Sequence, residues 1–170
     1  MEKSINSKQK LYIDLLEFDG VELEVSLVEK ADLELLVVLD AQKTLEREFK
    51  LKISHETSGV KSKVKMFAAL DQDSKVKILC NLVVPEGVKG VSTSLEQRAI
   101  LLSKTANITF DPVLEIDENE VEASHAATIS TPEEVQLHYL DARGLPRKEA
   151  VELIVMNLLK VTSEYTKMEV

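Results

Sequence analysis

Val21, Leu23, Val25 and Leu27 alternate with Glu22, Glu24 and Ser26, so every second side chain is apolar. A period of two belongs to a strand with one buried face, because successive side chains of an extended chain point to opposite sides. The pattern returns in Leu33, Leu35, Val37 and Leu39, and in Phe49, Leu51 and Ile53 with Lys50 and Lys52 between them. It continues in Val60, Val64 and Met66, spaced by Lys61, Lys63 and Lys65, and in Val76, Ile78, Cys80, Leu82 and Val84. These strands recur roughly every 12–17 residues, too short an interval to hold a helix between them. Turn residues punctuate the runs at Phe18-Asp19-Gly20, Asp71-Gln72-Asp73-Ser74 and Pro85-Glu86-Gly87. Such a chain folds as a mainly β solenoid, barrel or sandwich, and alternation alone does not choose among them.

The pattern changes at Thr131-Pro132-Glu133-Glu134. Thr131 suits a helix cap, Pro132 the first helical position, and the two acids the positive end of the helix dipole. Val135, Tyr139 and Ala142 share one face, and Gly144 fits the stop. Leu145-Pro146 opens a second helix whose apolar stripe is Ala150, Leu153, Ile154, Asn157, Leu158 and Val161. The expected layout is a flexible N-terminus over 1–10, a β body over 11–130, a helical hairpin over 131–163 and a flexible tail over 164–170.

Composition excludes several functions. Hydrophobic residues make up 44% of the 170, enough for a core, but aromatics are only 4% and Trp is absent, so Val, Leu, Ile and Ala must fill it. A net charge of −9 argues against nucleic acid and against anionic membranes, both of which need clustered Lys and Arg. No apolar run is long enough to span a bilayer, and the first ten residues do not read as a signal peptide, so the expected compartment is the cytoplasm. The single cysteine, Cys80, excludes a disulfide framework and an all-cysteine metal site within one chain. Gly87-Val88-Lys89-Gly90-Val91-Ser92-Thr93 has the wrong spacing for a phosphate loop, so no nucleotide is expected on this chain. Neither G-x-S-x-G nor H-E-x-x-H occurs, and the expectation is a protein that is not an enzyme.

Five pieces of the C-terminal half carry a resemblance. They are Gln97 with Ala99-Ile100-Leu101-Leu102-Ser103, then Pro112-Val113-Leu114-Glu115-Ile116, then Val121-Glu122-Ala123-Ser124-His125-Ala126-Ala127-Thr128. Gln136-Leu137-His138-Tyr139-Leu140 with Arg143-Gly144-Leu145 is the fourth, and the helix from Glu149-Ala150 the fifth. In this order they resemble the SufB/SufD family of iron–sulfur cluster assembly scaffolds. The resemblance implies a right-handed parallel β-helix with a C-terminal helical hairpin. It implies a SufC-like ABC ATPase docked on that hairpin, a SufB-like subunit or a second copy as partner, and a transient iron–sulfur cluster at a subunit interface. Arg98 stands where SufB has a cluster cysteine, and Ala126 where SufB has a glutamate, so the chain is similar to a short SufD.

The residue readings then divide. His125 sits in the alternation Val121, Ala123, His125, Ala127, Ile129, which reads as a buried, hydrogen-bonded core histidine; the resemblance makes it the candidate cluster ligand, shared with a partner chain. Cys80 reads as a small buried hydrophobe, with sulfur acceptor as the sharper alternative. His55 reads as solvated at a turn, and His138 as packing inside the first helix. Gln136, Tyr139, Arg143, Gly144 and Leu145 match the segment the family presents to its ATPase; otherwise they cap the solenoid. Two rival functions stand beside the assembly scaffold: a structural β-helix binding module without cluster chemistry, and a β-helix polysaccharide-active enzyme.

Overall fold

The computed structural model describes residues 2–18, 21–160 and 163–168. The Asp19-Gly20 turn and Val161 of the helical stripe lie outside the described residues.

Ten strands wind back and forth between two sheets. They are β1 (Glu2–Ile5), β2 (Lys8–Asp14), β3 (Glu22–Leu27), β4 (Asp32–Ala41), β5 (Glu46–His55), β6 (Lys61–Leu70), β7 (Lys75–Val84), β8 (Val91–Leu101), β9 (Asn107–Ile116) and β10 (Val121–Ser130). Odd strands form one sheet in the order β1-β3-β5-β7-β9; even strands form the other, β10-β8-β6-β4-β2, extended by a short β11 (Thr166–Lys167). Every pairing is parallel. Each turn therefore adds one strand to each sheet, and a residue meets its equivalent about 30 positions later. The mainly β alternative the sequence left open is resolved as a parallel β-solenoid.

The register explains the alternation. Leu23, Leu51 and Cys80 lie side by side across one sheet, as do Val25, Ile53 and Leu82. Opposite them run Leu35, Val64 and Leu95. All nine are buried in a single core. The chain turns at stacked corners, where Gly59 and Gly90 have φ of 77° and 68°. A Cβ on Gly90 would sit 3.9 Å from Gly59, so the two corners lie one above the other.

Both ends depart from expectation. Residues 2–5 and 8–10, read as flexible, are β1 and the start of β2. Residues 166–167, read as part of a flexible tail, pair with Leu11 and Tyr12 of β2. Met168 beyond them is 2% exposed in the core, and the Tyr165 hydroxyl donates to Glu34 at 2.7 Å. These short edge strands are held by backbone pairing and offer too few apolar residues for a period to show. The opposite end is open. β10 is exposed along its length apart from a half-buried Val121, and Leu114 of β9 is 41% exposed.

The hairpin follows. Helix α1 covers Glu134–Ala142 and α2 covers Arg147–Leu158. Thr131 and Pro132 do not start α1: β10 runs to Ser130, and these residues carry the chain off the sheet before the helix begins. Glu133 takes the N-cap place without a side-chain bond. Arg147 instead ties the two helix starts together, donating two 2.7 Å bonds to the Glu134 carboxylate. Gly144 ends α1 with φ of 84°, as expected of a left-handed stop. Val155 of α2 packs on Ala69 and Ile100 of the even sheet, flanked by Val151, Ile154 and Leu158.

One polar chain crosses the core. His55 is fully buried, because it extends the inward alternation Phe49, Leu51, Ile53 by one more step. Its Nδ1–H donates to the Val83 carbonyl at 2.8 Å, and its Nε2 accepts from Ser62 Oγ at 2.8 Å. Ser62 lies 2.6 Å from Thr93 Oγ1. Burial lowers the His55 pKa below its usual 6.5, although the bond to Val83 opposes the shift. The unfolded chain thus takes up this proton first. His55 contributes stability that is present above pH 6.5 and lost as pH falls toward the lowered folded value. In urea titrations across that window, wild type is expected to lose more stability on acidification than His55→Gln. Equal slopes would contradict the assignment.

Candidate functional site

The open last turn is where a chemically useful side chain reaches solvent. His125 stands on the inward-facing side of β10, opposite Leu95 of β8 in the register. Among the described residues no further strand stacks on β10, so His125 is exposed and not a core residue. Its Nε2 lies 3.3 Å from Oε1 of Gln97. Gln97 is fully buried on the inward side of β8, between Met66 of β6 and Ala127 of β10. Pro112, Leu114 and Ile116 of β9 complete the same end, none of them fully covered. Arg98 points outward, exposed, and pairs with Glu96 at 2.6 Å.

An exposed neutral imidazole is a suitable ligand for iron. It would be one ligand only. Among the described residues no three of His, Cys, Asp and Glu come together. The remaining ligands of any cluster would have to come from elsewhere.

Cys80 is not part of this end. It faces inward on β7 at 0% exposure, stacked between Leu51 and Pro112. Burial pushes its thiol up to about 12, so almost no thiolate forms near neutrality. That is the environment of a small packed hydrophobe. His138 is exposed on α1, and Glu115 is exposed on β9, where it accepts from Asn81 Nδ2 at 2.9 Å.

A second surface lies on the hairpin. Val135 and Tyr139, read as sharing one face of α1, are 79% and 60% exposed. Only Leu137 of α1 is buried. The Arg143 guanidinium lies 5.2 Å from the centre of the Tyr139 ring, a cation–π stack at the tip of the hairpin beside Gly144 and half-buried Leu145. Met156 and Leu153 of α2 add 64% and 44% exposure. Gln136 instead lines a groove between α1 and the sheet, with Thr128, Ser130 and Asn157. The hairpin thus presents an unusual share of large apolar surface.

Comparison with known proteins gives this geometry a family. The family model for the SUF system FeS cluster assembly SufBD core domain matches residues 21–158, from the first alternating strand to the end of α2. The chain belongs to the SufBD family. The SufBD core thus covers the β-solenoid from β3 onward and both helices. The iron–sulfur cluster assembly protein SufD of Bacillus subtilis (strain 168) is 36% identical over 76 residues, 45% of this chain and 17% of that protein. A SufBD family protein of Mycobacterium bovis is 31% identical over 86 residues, 51% of this chain and 10% of its own length. One from Staphylococcus aureus (strain USA300) is 30% identical over 81 residues, 48% and 17% respectively. The matched stretch is thus a small part of each of these SufBD relatives. No helix among the described residues is long and apolar enough to cross a membrane.

Gln97 is the buried polar partner of His125 that the alternation did not disclose. The signal was present: in Leu95, Gln97, Ala99 an amide occupies an inward place between two apolar residues.

Proposed function

We propose that this chain is a scaffold and adaptor subunit of a SUF-type iron–sulfur cluster assembly complex. The observation that carries the reading is the unfinished last turn. β9 and β10 end their sheets with unpaired strand edges, and their inward side chains lack the next turn that covers them elsewhere. Such edges are ready templates for pairing with another chain. The occupant in this reading is a SufB-like subunit or a second copy. Edge-to-edge pairing brings His125 against the partner's own ligating groups, and a transient cluster is held between the two. The hairpin tip around Tyr139, Arg143, Gly144 and Leu145, with Gln136 in the adjoining groove, docks a SufC-like ABC ATPase. Nucleotide is bound and hydrolysed by that ATPase, and this chain performs no catalysis of its own.

A binding module without cluster chemistry is the second reading. It is favoured by one observation: His125 is the only histidine or cysteine on the two open strands.

The test is anaerobic cluster reconstitution on the complex co-expressed with a SufB-like subunit and the ATPase. His125→Ala is expected to lose cluster to a chelator about tenfold faster than wild type, the effect of deleting a ligand or its support. Visible absorbance reports the loss. An unchanged rate in an intact complex would support the module reading and sink the ligand role.

A further inference from the structure

We infer that Gln97 is a positioning residue that fixes the His125 tautomer, leaving Nδ1 as the nitrogen free to ligate. The inference rests on the reading of His125 as a cluster ligand.

A fully buried primary amide is costly in an apolar core unless its donors and acceptor find partners. Gln97 finds them on both sides. Its Nε2 donates to the Met66 thioether at 3.5 Å, and its Oε1 faces His125 Nε2 at 3.3 Å. Met66 decides which way the amide turns. A thioether carries no proton and can only accept, so the amide NH2 belongs on its side. The carbonyl oxygen then faces the imidazole, and an amide oxygen can only accept. His125 must therefore carry its proton on Nε2. In the neutral ring the lone pair falls to Nδ1, which has no hydrogen-bond partner among the described residues.

The arrangement differs from His55, the other histidine held by a hydrogen-bond network in this chain. There Nδ1 donates and Nε2 accepts, and both nitrogens are consumed inside the core. Around His125 a single buried amide holds one nitrogen and the open end leaves the other to solvent. The thioether, amide and imidazole sit on three successive strands, β6, β8 and β10, so the solenoid register delivers the order. Hydrogen-bond partners of this kind commonly set which nitrogen of a histidine binds metal. Nδ1 is the ring nitrogen nearer the backbone.

The experiment is long-range proton–nitrogen NMR of the metal-free, nitrogen-15-labelled full chain. His125→Ala assigns the His125 signals among the three histidines. The expected wild-type pattern is a protonated Nε2 and a bare Nδ1. Gln97→Met, close in volume but without the acceptor, is expected to move these signals toward the average of mixed tautomers. Met66→Leu, which frees the amide to turn over, is expected to move them the same way without touching either partner. A wild-type His125 protonated on Nδ1 would overturn the inference, as would unchanged signals in both folded variants. Anaerobic ferrous iron titration of the complex with the SufB-like subunit separates the two levels. Gln97→Met is expected to weaken iron about tenfold. Iron binding indifferent to His125→Ala would overturn the ligand reading, and a tautomer shift in the same variants would still uphold the hold of Gln97 on the ring.

Discussion

Phe49→Ala is expected to lower the unfolding free energy by about 3–5 kcal/mol, the usual cost of removing a large aromatic from a packed core. Phe49 is fully buried on β5 and lies beside Ile78 of the next turn. The Phe18 ring meets it edge-on, with centroids 5.4 Å apart and planes at 89°. Phe18 belongs to the connection between β2 and β3, whose carbonyls at Leu15 and Phe18 accept from the Arg47 guanidinium. Losing the ring thus opens a cavity and loosens a corner at once. In a solenoid each turn contacts only its neighbours, so a defect in a middle turn weakens both halves. Leu114→Ala, at the open end where the side chain is already 41% exposed, is expected to cost about 1 kcal/mol or less in the isolated chain. Equilibrium urea unfolding compares the two. Equal losses would contradict the placement of the core.

Period-two alternation made the strands legible because most interior positions are apolar and most exterior ones polar. It reported which face a side chain takes, not whether anything lies over that face. His125 shows the difference. Its neighbours Ala123, Ala127 and Ile129 alternate as a buried strand would, yet β10 ends its sheet and Ile129 is 47% exposed. His55 shows the converse. Counted as polar and placed at a turn, it ends β5 inside the core, because Ser62 and the Val83 carbonyl satisfy both ring nitrogens. On α1, the spacing of Val135 and Tyr139 identified an apolar face correctly, but spacing does not say toward what the face turns. Leu137 alone anchors that helix. The five C-terminal pieces recognised in order carried the family, which no periodicity could have supplied.

Tyr139→Asp is expected to have the larger functional effect. Tyr139 is 60% exposed, stacked by Arg143, and flanked by Val135 at 79%. Exposed aromatics paired with arginine are the groups that dominate binding energy at protein interfaces. An aspartate there removes the ring and places a charge where the proposed partner must dry the surface. The substitution touches no core residue, so the solenoid should unfold as wild type does.

The direct measurement is co-purification of the full chain with the ABC ATPase of the same organism, wild type against Tyr139→Asp. The adaptor account expects a complex with wild type and a loss of about tenfold or more in affinity with the variant. A wild-type chain that does not bind the ATPase would contradict the account.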